Sequence, residues 1–106
     1  MTDEKTQQQI VARVIATAQP SRIILFGSYA RGEADPGSDL DLMVVLPTAD
    51  DKYSEMIRLH KAVGSVDVGV DMLVYSDAEY ERRSQVPGAM LYWARKEGRQ
   101  LYEAAL

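Results

Sequence analysis

The chain has 106 residues, with 12 Lys and Arg against 16 Asp and Glu, for a formal charge of −4. That length holds one domain with one core, and 46% hydrophobic with 26% charged residues is globular rather than disordered composition. The acidic balance excludes a general nucleic-acid binder, which carries a basic stripe, and the lack of cysteine excludes disulfides and thiolate metal sites. The polar start Met1-Thr2-Asp3-Glu4-Lys5 is unlike a signal peptide, and no apolar run approaches the roughly 20 residues that span a bilayer. The expectation is a single cytoplasmic domain over residues 1–106 with no membrane contact.

In chain order, Ile10, Val11, Val14, Ile15 and Ala18 recur at helical spacing over residues 3–18, and Pro20 ends that helix. Residues 21–26 form a short β-rich apolar run stopped by Gly27, which reads as a buried strand. Ser28 to Gly32 fits one or two helical turns with Ser28 as N-cap, and residues 33–38 are turn chemistry throughout. Asp39 to Leu46 is a second strand closed by Pro47. Residues 50–63 make a long helix with Gly64 as its C-cap. Val66 to Tyr75 is a third strand, with Val66, Val68, Val70, Met72 and Val74 on one face. Ser76 or Asp77 caps a helix to about Gln85, Pro87-Gly88 breaks it, a last helix covers residues 89–97, and Arg99 to Tyr102 is a short terminal strand. Interleaved helices and strands define the α/β class, a small sheet with helices packed against it.

The chemistry is concentrated in the second strand. Period two places Asp39 and Asp41 on one face, with Leu40, Leu42 and Val44 on the other, in the core. Two carboxylates held that close beside a core repel each other, and desolvation adds to the cost. A shared proton or a divalent cation would compensate, and Mg²⁺ is the better fit because one or two carboxylates plus phosphate oxygens usually hold it. On the third strand the valines fix one face, so Asp67, Gly69, Asp71 and Leu73 share the other. With the strands adjacent, Asp71 joins Asp39 and Asp41, and three carboxylates equip a site for two cations about 3.5–4 Å apart. Asp67, on the same face, is the competitor for that third role and reads as an edge or solvent residue.

Upstream, Phe26-Gly27-Ser28 sits where a buried strand gives way to a helix start. Gly27 lets backbone approach a ligand, the helix start offers N–H groups to phosphate, Ser28 adds a hydroxyl, and Arg31 is placed to reach the same anion or to shield the aspartates. A Gly-Ser pair alone carries no information, and an Asp-x-Asp on a strand carries little. Their joint spacing carries much more. His60 reads as a surface residue. Arg82, Arg83, Arg95 and Lys96 read as solvated faces with Tyr92 and Trp93 as core aromatics, so nucleic acid is not an expected partner. Tyr29, Tyr75 and Tyr80 are open between packing and nucleotide stacking.

Gly27-Ser28, ten residues, then Asp39-x-Asp41 resembles the signature of the DNA polymerase beta-like nucleotidyltransferase superfamily. The stretches from Phe26 to Ala34 and from Ser38 to Leu42, with Val70 to Val74 and Glu79 to Arg83, resemble its minimal branch, the MNT proteins. So does the closing run from Glu97 to Glu103, and the resemblance spans most of residues 20–104. The resemblance implies a nucleotidyltransferase fold in which Gly27 and Ser28, with Arg31 nearby, hold the β- and γ-phosphates of a nucleoside triphosphate. Asp39 and Asp41 would bind two Mg²⁺ ions, and Asp71 would bind the catalytic ion and assist deprotonation of the attacking hydroxyl. MNT proteins of this size are paired with HEPN-domain proteins in toxin–antitoxin modules, which implies an antitoxin that transfers AMP from ATP to a tyrosine of the HEPN toxin. Two alternatives stand beside it: a non-catalytic antitoxin that masks its toxin, and transfer to a small molecule such as an aminoglycoside, for which a homodimer cleft would replace an acceptor domain.

Overall fold

A computed structural model describes residues 4–64, 66 and 68–104. The element order is α1 (Glu4–Ala18), β1 (Arg22–Phe26), α2 (Gly27–Ala30), β2 (Leu40–Leu46), α3 (Lys52–Val63), β3 (Val70–Ser76), α4 (Asp77–Arg83), α5 (Met90–Glu97) and β4 (Arg99–Glu103). The four strands form one mixed sheet in the order β3-β2-β1-β4. β1 pairs antiparallel with both β2 and β4, while β2 and β3 run parallel. The parallel pair needs a crossover, and α3 supplies it.

Both faces of the sheet are covered. On one, Leu40, Leu42, Val44 and Leu46 of β2 join Ile23, Leu25, Met72 and Val74 against Ile10 and Val14 of α1 and Leu59 and Val63 of α3. On the other, Ile24, Met43 and Val45 pack with Tyr80 of α4 and with Leu91 and Ala94 of α5. Each such aliphatic side chain, fully buried, contributes about 1.5–3 kcal/mol. The period-two pattern of β2 implied a core on one face alone. The second apolar layer exists because α4 and α5 fold back over the face that also carries Asp41.

Element ends follow local chemistry. α1 stops at Ala18, Gln19 takes φ 49° and Pro20 follows, so the helix cannot continue. Asp51 caps α3 by accepting from the Ser54 N–H, and Gly64 closes it. Ser76 opens α4 with a full capping box, its hydroxyl accepting from Glu79 N while the Glu79 carboxylate accepts from Ser76 N. The third strand is shorter than its valine pattern implied, starting at Val70; Val66 and Val68 still pack against the α1/α3 core as an approach to it. Among the described residues no helix is long and apolar enough to cross a membrane.

Candidate active site

The site lies where β1 ends, β2 begins and β3 begins. In the β2–β3 register Asp41 stands directly opposite Asp71, and Leu40 opposite Val70. Neighbouring strands are about 4.8 Å apart, so the Asp41 and Asp71 carboxylates emerge side by side from one face. Asp39 immediately precedes β2, which starts one residue later than the sequence pattern implied. Asp39 and Asp71 are exposed and Asp41 is half-buried. All three sequence-predicted acids thus lie toward the same end of the β2–β3 pair, with Asp39 and Asp71 both in electrostatic reach of Asp41.

The electrostatics follow from that placement. Burial pushes the Asp41 carboxyl above its ordinary value, the negative charges of Asp71 and then Asp39 push it further, and the Arg31 guanidinium pulls the other way. Arg31 is therefore within electrostatic reach of the aspartates, but its ion-pair partner is Glu33, at 3.2 Å. Among the described residues no three His, Cys, Asp or Glu side chains are gathered closely enough to hold a metal ion as they stand. Asp67, the competing acid, lies outside the described residues.

Two glycines touch this acidic face. Phe26 of β1 is paired with Asp41 of β2, so the next residue, Gly27, passes beside the Asp41 side chain. A Cβ at position 27 would stand 2.3 Å from Asp41 Oδ2, and the residue has φ +73°, so both space and backbone call for glycine there. A Cβ at position 69 would stand 2.2 Å from Asp39 Oδ1. The strand pattern alone gives Gly69 a face and no role. The available signal was an isolated glycine leading into a strand, which marks close approach of another group.

Helix α2 begins at Gly27 itself, with Phe26 in the N-cap position and no side-chain cap. The expectation that Ser28 caps it is corrected: Ser28 is the second helical residue, because the left-handed turn at Gly27 already starts the helix. Ser28 sits half-buried inside the first turn, where its carbonyl accepts from Glu33 N at 2.9 Å. A cleft of about 350 Å³ flanks α2, running from Phe26, Gly27 and Arg31 to Met90, Trp93 and Glu97 of α5. A larger cavity, about 520 Å³ between α1 and β4, shares no residue with the acidic face.

The remaining candidates separate cleanly. His60 is exposed on α3, and Arg82, Arg83, Arg95 and Lys96 are exposed on α4 and α5. Tyr80 is core, and Tyr29 packs against the α1/α3 core. Tyr75 lies under the cations of Lys52 and Arg83, at the opposite end of β3 from Asp71. Trp93 departs from its expectation as a core aromatic: it is 48% exposed, because α5 turns Leu91 and Ala94 inward and leaves Met90 and Trp93 outside.

The fold is a small mixed α/β sheet covered on both faces, with an uncapped helix start beside paired strand carboxylates. The chain belongs to the nucleotidyltransferase domain family, which matches residues 8–104. A bifunctional uridylyltransferase/uridylyl-removing enzyme of Aromatoleum aromaticum is 46% identical over 61 residues, 54% of this chain, and the chain spans 7% of that enzyme's length. Among solved structures, a toxin–antitoxin complex with AMP-PNP aligns over 92% of this chain and 73% of its own, with TM-score 0.62 and 20% identity. A complex of tri-AMPylated Shewanella oneidensis HEPN toxin with MNT antitoxin aligns over 95% and 72%, with TM-score 0.56 and 21% identity. At these identities the two structures establish a shared fold.

Proposed function

We propose that the chain is a Mg²⁺-dependent nucleotidyltransferase that moves AMP from ATP to a tyrosine of a HEPN-family partner and thereby acts as its antitoxin. The carrying observation is the in-register Asp41–Asp71 pair on parallel strands, beside the bare Gly27 turn. The residues fit a divalent cation: Asp41 is half-buried and its carboxyl is raised by burial and by two neighbouring negative charges, a penalty that a cation removes. Asp39, Asp41 and Asp71 are the residues that would hold the ions, and the exposure of Asp39 and Asp71 leaves their carboxylates open to an incoming cation. Bound Mg²⁺ supplies charge neutralisation of the phosphates and of the leaving pyrophosphate.

The chain's own residues do the rest. Gly27 and Ser28 grip the β- and γ-phosphates through backbone N–H groups and a hydroxyl, and Arg31 turns from Glu33 toward the same anion. Asp71 takes the proton of the acceptor hydroxyl as its oxygen forms a bond to the α-phosphorus and the bond to pyrophosphate breaks. Positioning supplies much of the rate. Support for a HEPN-type protein as acceptor comes from the fold shared with the complex of tri-AMPylated HEPN toxin and MNT antitoxin.

The second reading is masking without turnover, favoured by Met90 and Trp93, exposed apolar side chains that line one cleft and are suited to lasting contact. One experiment separates the two. Limiting protein is mixed with the HEPN partner, ATP and Mg²⁺; ribonuclease activity is followed and the partner is weighed by mass spectrometry. The catalytic reading expects AMP-sized mass additions on a tyrosine, silencing at substoichiometric amounts, and loss of both in Asp71→Ala. Neutralisation only at equal amounts, with no mass change, would replace it with masking.

A further inference from the structure

Gly69 stands just before β3, and its carbonyl accepts the Leu40 N–H at 2.8 Å, tying the start of β3 to the start of β2. Nothing in its backbone calls for glycine, since it is absent from the positive-φ glycines, which are Gly27, Gly32, Gly64 and Gly88. Nor does packing against the core, because Gly69 is exposed. What its missing side chain does leave free is the space occupied by Asp39. A Cβ there would stand 2.2 Å from Asp39 Oδ1 and 3.0 Å from its Cγ, closer than such atoms approach.

We infer that Gly69 is a positioning residue for the Asp39 carboxylate, keeping clear the space that this carboxylate occupies on the acidic face. This rests on the acidic site proposed above. Because Asp39 is an exposed side chain with room to rotate, a methyl group at position 69 is relieved cheaply, by swinging the carboxylate away. The consequence of substitution therefore falls on ligand binding rather than on folding. Gly27 differs in this respect, since its φ of +73° strains any side chain regardless of Asp41.

The test is a double-mutant cycle read by Mn²⁺-ATP binding, with Gly69→Ala made in the wild-type and in the Asp39→Asn chain. In the wild-type background Gly69→Ala weakens Mn²⁺-ATP by about ten-fold or more, with the apo melting temperature within about 2 °C of the parent. In the Asp39→Asn background the same change weakens binding by less than about two-fold, the non-additivity expected of residues acting through one contact. Equal losses in both backgrounds, or no loss in either, overturn the inference. Crystal structures of the parent and of Gly69→Ala decide it independently of any nucleotide: a rotated Asp39 side chain supports it and an unmoved one overturns it. If the parent binds no Mn²⁺-ATP, the proposed function fails, and the crystallographic comparison still decides the role of Gly69.

Discussion

Two strand-to-helix junctions in this domain are built in opposite ways. At β3–α4 the chain seals its own helix start: the Ser76 hydroxyl accepts from Glu79 N, Glu79 returns the bond to Ser76 N, and Lys52 pairs with Glu79 at 3.0 Å. At β1–α2 Phe26 occupies the cap position, no side chain caps the first turn, and glycine follows at positive φ. The first arrangement uses polar side chains for stability. The second leaves the first turn without a side-chain cap and sets it beside Asp41, whose proton affinity burial and the neighbouring acids raise. A capped helix start has its N–H groups satisfied by its own side chains, whereas an uncapped one leaves them open, which the proposed nucleotide site uses.

The largest expected effect comes from removing charge at the open junction. Asp41→Asn should lower nucleotidyl transfer by more than about 100-fold, since even partners one step removed from a metal cost 10- to 100-fold. Apo stability should be equal or higher. Because the folded-state carboxyl is raised, the native state holds its proton more tightly than the unfolded chain does. Ionised Asp41 therefore opposes folding, and any gain from Asn is greatest near neutral pH and disappears below the ordinary value of 3.8. Denaturant melts of both proteins across pH check the sign; a large loss of apo stability at neutral pH would make Asp41 structural and erase the contrast.

Gly27→Ala ranks next. The left-handed backbone costs an L-residue about 1–2 kcal/mol, and the new Cβ would press on Asp41 Oδ2. Urea unfolding should register the stability loss, and transfer assays should register a larger one. If the Gly27→Ala protein transfers AMP normally, the open junction is not a phosphate cradle.

At the sealed junction the pattern reverses. Ser76→Ala should cost about 1 kcal/mol, the usual worth of an N-cap, and leave kcat/KM for transfer unchanged. A drop in transfer beyond the lost folded fraction would show that the two junctions are coupled.

The smallest effect is the acid limb of stability. The Lys52 ammonium, with the Ser76 N–H and the charge of Arg83 behind it, holds the Glu79 carboxyl below its usual 4.5. A lowered folded-state value gives stability that is present above 4.5 and lost as pH falls through the folded value. Glu79→Gln should therefore flatten the decline of melting temperature between neutral and acid pH. An unchanged acid limb would mean that the sealed junction owes nothing to that charge.

The elements of the site were legible in the sequence because they depend on local rules. Strand periodicity put Asp39 and Asp41 on one face, glycine after a buried run marked a strand's end, and the valines of residues 66–74 assigned Asp71 to the acidic side before any strand order was known. Cap chemistry located Gly64 at one helix end and narrowed the start of another to Ser76 or Asp77, for the same reason: a cap is satisfied within four residues of chain. The structure places that cap at Ser76. Only the tertiary structure could pair Asp41 with Asp71, since register between strands 30 residues apart in sequence is set by the packing of the α3 crossover. It also decided that Met43 and Val45 are core, because α4 and α5 return over that face, and that Trp93 is not, because the helix has only one side to bury. The same holds for Gly69. Its sequence neighbours give no hint of Asp39, and the need for an absent side chain arises only when two distant backbones meet.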